Sequence, residues 1–97
     1  MNNSELIDIL KGRTFLSAKE ARNFCDTFFG AIMESLVRGD RVEIRGFGSF
    51  KVKKRKARVA RNPRTGEEVF VEEHYVPVFK VSKELRSGVN GNLKSRE

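Results

Sequence analysis

Between Lys51 and Arg64 the chain reads KVKKRKARVARNPR, eight lysines or arginines with no acidic residue among them. Cations at this density do one kind of chemistry well. They neutralise phosphates and release the counterions condensed there. The other reading of such a run is a solvated, solubilising surface. The end of the run separates the two readings. In ARNPRTGEEV, residues 60–69, Pro63 is preset for the second position of a turn and Gly66 can take the left-handed conformation that closes it. A ribbon carrying Lys54, Arg55, Lys56, Arg58, Arg61 and Arg64 thus ends in an apolar ring flanked by guanidiniums. Cations that follow phosphates, joined to a proline that can enter a base step, are the combination minor-groove DNA benders use. The ring of Pro63 has no donor to leave unsatisfied, and Asn62 beside it can meet acceptors in the groove.

Catalysis finds no support. His74 is the single histidine and reads as an exposed ribbon residue, no pair of acids marks a pocket, and there is no phosphate-cradling glycine loop, metal-ligand cluster or cofactor motif. The one cysteine, Cys25, excludes an internal disulfide and a multi-cysteine zinc site. It falls in an apolar helical pattern, where it serves as a small buried hydrophobe.

The chain has 97 residues and a net charge of +7. Its eight-cation run exceeds that net charge, so the remainder is close to neutral and the basic character is a local patch. One domain is the most this length supports, and its core of phenylalanines and aliphatics is small for a free-standing monomer, so oligomerisation is expected. No apolar run approaches the about 18 residues of a membrane span. MNNSELIDILKGR at the N-terminus is acidic and amphipathic, unlike a signal peptide, which points to an intracellular, soluble protein.

Two helices must come first. Residues 2–12 place Leu6, Ile7 and Leu10 on one face, with Asn2 and Glu5 spaced as a capping box and Gly12 ending the helix. A second box, Ser17 with Glu20, opens a longer helix reaching about Arg38 and stopped by Gly39 and Asp40. Its apolar positions Ala21, Cys25, Phe28, Phe29, Ile32 and Leu36 are joined by a second strip, Phe24 and Met33. Either a partner subunit or a sheet of the same chain must cover both strips.

After Asp40 the period becomes two. RVEIR and SFKVKK alternate as antiparallel strands around GFG, where Gly46 and Gly48 can take positive φ and Phe47 can turn inward. Alternation continues without a break through Arg61, and VFVEEHYVPVFKV returns with strong β-formers, Pro77 being restricted to an edge or a bulge. The expected fold is α+β: a long hairpin whose base joins a three-stranded antiparallel sheet and whose outer part, about 54–74, projects as an arm. Ser82 caps a short last helix, SKELRSGVN, with Leu85 and Val89 inward, Lys83 and Arg86 free and Gly88 weakening it. The polar tail, residues 91–97, is expected to be disordered.

Over residues 1–90 the chain resembles the bacterial histone-like DNA-bending family that contains HU and integration host factor. RVEIRGFGSF, ARNPRTGEEV and YVPVFKVSKELR carry the likeness, and the RNPxTG element, which includes Thr65, is the most specific part. The resemblance implies an intertwined dimer with a helical base, a saddle of sheet and two arms in the minor groove, with Pro63 of each intercalating. It implies a cytoplasmic, nucleoid-associated protein without a cofactor, whose partners are double-stranded DNA and a second identical or related subunit. By position, Arg58, Arg61, Asn62, Pro63 and Arg64 become arm contacts, Lys83 and Arg86 meet flanking phosphates, and Phe28, Phe29, Ile32, Phe47, Phe50 and Phe79 form the shared dimer core. The pair Glu43 and Arg45 looks like the β-type subunit of integration host factor, where the arginine reaches the minor groove and the acid orients it.

Two departures stand out. Ala60 replaces the glycine usual before RNP in this family, which affects how the arm bends. The return strand carries Glu67, Glu68, Glu72 and Glu73, which lowers residues 51–74 from +8 to +4. These acids can pair with the basic strand and compete with phosphate for its cations. An RNA-binding module is the alternative from another class, but readers of single-stranded RNA display aromatics for stacking, and Phe47, Phe50 and Phe79 are needed in the core. A polybasic membrane segment needs interleaved large apolar residues or a lipidation signal, and KKRKARVARNPR has neither.

Overall fold

A computed structural model describes residues 1–96 of the chain. Helix α1, Asn3–Arg13, is capped by Asn2, whose Oδ1 accepts from the Glu5 N–H at 2.9 Å. This is only the forward half of the expected capping box. Among the described residues the full box forms at α2, Ala18–Val37, where the Glu20 N–H donates to Ser17 Oγ (3.1 Å) and the Ser17 N–H donates to Glu20 Oε1 (2.9 Å). The Ser17 backbone N–H, followed by its hydroxyl, holds the Glu20 carboxyl below its ordinary pKa.

Ile7, Ala21 and Cys25 form the buried core between α1 and α2, with Leu10 and Leu16 packed against it. Cys25 is therefore a core residue, as its helical phase requires. The rest of the wide apolar side of α2 is left open. Phe24, Phe28, Phe29 and Met33 are exposed, with Phe24 stacked on Phe28 and Phe28 edge-on to Phe29. The sheet of the same chain does not cover them.

The sheet has the order β1-β2-β5, built from β1 (Val42–Ile44), β2 (Gly48–Arg55) and the later strand β5 (His74–Val81), all antiparallel. Gly46 takes φ +80° in the turn between β1 and β2. Gly48 does not need a positive φ. Its hydrogen makes room for the Phe79 ring, which lies 2.6 Å from where a Cβ would sit, and for the Lys80 carbonyl. Phe79 packs against Phe47 and Phe50, with ring centroids 5.1 and 4.8 Å away. Pro77 lies on edge strand β5 opposite Val52, where a missing N–H costs the sheet least.

The second strand does not run unbroken into the arm. Pairing lapses at Lys56 and Ala57 on the way out and at Glu72 and Glu73 on the way back, and a separate two-stranded ribbon follows, β3 (Arg58–Arg61) with β4 (Glu68–Val71). Lys, Ala and Glu are weak β-formers, so the gap falls where the sequence is poorest in strand preference. The radius of gyration is 18.7 Å, against about 12.5 Å for a compact chain of this length.

Helix α3, Lys83–Lys94, is longer than its first apolar positions suggest. Leu93 continues the Leu85 and Val89 spacing by another four residues and the helix runs through Gly88 and Gly91, but Val89 and Leu93 are exposed in the single chain and Val89 is not turned inward as expected. Residues 91–94 are thus helical and not the start of a disordered tail. Glu97, the last residue of that expected tail, lies outside the described residues.

Candidate nucleic-acid interface

Antiparallel register sorts the cations by face, since paired residues project to the same side and neighbours along a strand to opposite sides. Glu43, Ser49 and Lys80 form one row across the sheet, and Lys51, Lys53 and Arg55 follow on that face. Phe50, Val52, Phe79 and Pro77 share the other face with Val42. One side of the sheet thus carries Lys51, Lys53, Arg55 and Lys80 beside the half-buried Val76 and Val78, and the other is apolar apart from Lys54. Arg41, Lys51, Lys53 and Lys80 join this surface although composition alone did not single them out. The phase of KVKK against the hydrophobic positions was the available signal.

Lys54 falls on the opposite face from Lys53 and pairs with Glu73 at 2.9 Å. Glu43 pairs with Arg41 at 2.7 Å, not with Arg45 as the likeness to a β-type subunit implied. Both arginines flank the acid by two residues, but Arg45 already belongs to the turn and is freed from the strand's alternation. A shallow groove beside it is lined by Arg41, Glu43, Arg45, Ser49, Lys80 and Ser82.

Ser82 connects this surface to α3. Its hydroxyl donates to the Gly46 carbonyl (2.9 Å), its N–H donates to the Phe47 carbonyl (2.9 Å), and its Oγ accepts the Leu85 N–H (3.1 Å) as the helix cap. The start of α3 is thereby fixed against the turn that carries Arg45. Lys83 and Arg86, both exposed, lie in its first turns.

At the far end, the ribbon turn is tied from within. Asn62 Oδ1 accepts from the Arg64 N–H (2.9 Å), the Asn62 carbonyl accepts from Gly66 (2.7 Å), the Asn62 N–H donates to the Glu67 carbonyl (2.8 Å), and Thr65 Oγ1 accepts from Glu67 (3.3 Å). Gly66 has φ +74°. Asn62 and Thr65 therefore build the turn, and Pro63 and Arg64 are displayed on it, both exposed. Along the ribbon Arg61 faces Glu68 at 3.7 Å. Arg55, Lys56, Arg58 and Arg64 have no acidic partner among the described residues. His74 is exposed, with Nδ1 2.8 Å from the Glu72 carbonyl.

Among the described residues no cluster of His, Cys, Asp and Glu could hold a metal ion, and no helix is long and apolar enough to cross a membrane. The family model described as bacterial DNA-binding protein matches residues 1–90. The chain belongs to the bacterial DNA-binding protein family. This is a family of HU-type architectural proteins, not enzymes. Solved structures agree. An Anabaena HU–DNA cocrystal structure is 36% identical with a TM-score of 0.84, over 92% of this chain and 97% of that one. HU from Thermotoga maritima is 31% identical with a TM-score of 0.66, over 92% and 98%. A mutant of transcription factor 1 is 28% identical with a TM-score of 0.63, over 94% and 92%. The family match thus spans α1, α2, the sheet, the ribbon and the greater part of α3.

Proposed function

We propose that this chain is an HU-like architectural protein that binds double-stranded DNA in the minor groove and bends it, in the bacterial nucleoid, by inserting Pro63 between base pairs. The observation that carries the reading is the tip: an exposed Pro63 on a turn stiffened by Asn62 and Thr65, with Arg64 free beside it and, along the ribbon behind it, Arg61 facing Glu68 and Arg58 free. Arg58, Arg61 and Arg64 follow phosphates. The sheet face with Arg45, Lys51, Lys53 and Lys80, together with Lys83 and Arg86, receives the flanking backbone. Unstacking a base step costs a few kcal/mol, which the additional contacts of a bent duplex offset.

The functional unit in this reading is a dimer. Phe28, Phe29, Phe47 and Phe79 remain 41–44% exposed in one chain, more apolar surface than a soluble monomer ordinarily leaves open. A second copy covers these rings together with Ile32 and Phe50. The solved neighbours that are HU proteins favour the homodimer as the simpler assembly, and a β-type subunit paired with a related chain is the second reading.

End-to-end fluorescence energy transfer on a random-sequence duplex of about 30 base pairs, far shorter than the persistence length, tests this with the purified chain alone. Transfer rises on binding. The Pro63→Ala variant keeps affinity within about threefold but shows a clearly smaller bend. Unchanged bending in that variant would sink the wedge. A second outcome concerns the acids. Replacing both Glu68 and Glu73 with Gln releases Arg61 and Lys54 from exposed ion pairs worth about 0.2–1 kcal/mol each. DNA affinity, read by fluorescence anisotropy, is expected to rise about two- to thirtyfold at low salt and to converge with the parent as salt screens the pairs.

A further inference from the structure

The ribbon has two faces, and one carries more apolar surface than a solvated hairpin needs. Register places Val59 directly opposite Phe70, and Arg61 opposite Glu68 as the next pair on the same side. Arg58, Val71, Ala60 and Val69 occupy the other side. Val59 is 62% exposed and Phe70 66% exposed. A branched aliphatic and an aromatic side by side on a narrow ribbon invite association with something.

We infer that Val59 and Phe70 form an apolar DNA contact that packs against the deoxyribose walls of the groove beside Arg61. This inference rests on the DNA-binding reading above. Val59 and Arg61 are two strand residues apart, about 6.6 Å, which matches about two steps of rise along the DNA helix axis at roughly 3.4 Å each. Once the Arg61 guanidinium reaches a phosphate, the Val59–Phe70 pair is therefore carried to the sugars next to it. Sugar C–H edges offer the apolar surface that a ring without donors can cover. Charge argues against a second ribbon as the occupant: residues 51–74 sum to +4, so two ribbons repel, whereas a polyanion is drawn to the ribbon as a whole, although Arg61 and Glu68 offset each other on this face.

An apolar contact of this kind contributes affinity without neutralising a phosphate, so it leaves the salt dependence alone. The test is a salt titration of DNA binding by anisotropy for the parent, the Val59→Thr/Phe70→Thr double variant and Arg61→Gln. Threonine is uncharged and keeps strand preference, and circular dichroism with a thermal melt verifies the fold. The expected result is a loss of about tenfold in affinity at every salt concentration with the slope unchanged, while Arg61→Gln lowers the slope by about 0.9. Parental affinity in the double variant overturns the inference, as does a slope that falls with it, which would mean the pair only positions the arm's cations. Loss of a concentration-dependent self-association with DNA affinity intact also overturns it, in favour of a contact between copies. A parent that binds no DNA removes the functional reading and this inference together, whereas the other failures leave DNA binding standing.

Discussion

Gly48→Ala is expected to lower stability by about 3 kcal/mol, near the upper end of the usual cost of overpacking. The reason is local and geometric. An alanine Cβ would meet the Phe79 ring at 2.6 Å and press on the Lys80 carbonyl. The ring cannot simply rotate away, because Phe47 and Phe50 hold it on the same face of the sheet. The carbonyl belongs to β5, so moving it strains the β2–β5 pairing through which the sheet reaches the arm. In a domain of this size each kcal/mol lowers the melting temperature by roughly 4–8 °C, so a thermal melt should show a fall of more than about 10 °C. Gly46→Ala is the matched control. Gly46 has φ +80° and open space around it, so alanine there meets only the left-handed backbone penalty of about 1–2 kcal/mol. A loss at Gly48 no larger than that at Gly46 would show that the sheet accommodates the added Cβ and that room for Phe79 and the Lys80 carbonyl is not what Gly48 provides.

The sequence made the helices legible because their signals are local: Ser17 and Glu20 lie three residues apart, and the apolar spacing of Ala21 and Cys25 can be counted directly. Gly46 and Gly66 were equally readable, since turn chemistry demands left-handed backbone at both. The cationic run was visible as composition, but composition says nothing about faces. Only register shows that Lys51 and Lys53 share a surface with Lys80, that Lys54 points the other way to Glu73, and that Val59 stands beside Arg61. The break at Lys56 and Ala57 was hidden because alternation persists across it, and its counterpart at Glu72 and Glu73 lies far along the chain. The length of α3 was underestimated for the opposite reason. Gly88 and Gly91 are strong local signals for stopping, yet the helix runs through both to Lys94. Glu43 had two arginines at equal spacing, and sequence distance could not choose between them.

Replacing Arg58, Arg61 and Arg64 together with Gln is expected to lower DNA affinity by about a hundredfold or more at low salt and to reduce the slope of log K against log salt by about 2.7, the counterions of three phosphates. Each position is exposed and none lies in a buried core, so the variant should melt like the parent, and the effect is one of binding. The pattern separates charge from wedge: the triple variant loses affinity steeply, whereas Pro63→Ala loses bend at nearly constant slope. It also locates the binding surface. The three arginines belong to the ribbon and its turn, while Lys51, Lys53 and Lys80 belong to the sheet and Arg45 to the turn between β1 and β2, across the joint at Lys56 and Ala57. If the slope survives the triple substitution, the phosphates are being met by the sheet face and α3, and the ribbon acts after binding. A slope that falls by the full amount with some affinity remaining would mean that the sheet docks the duplex weakly and the arms supply the grip, which is the division of labour expected of a ribbon joined to its sheet through an unpaired gap.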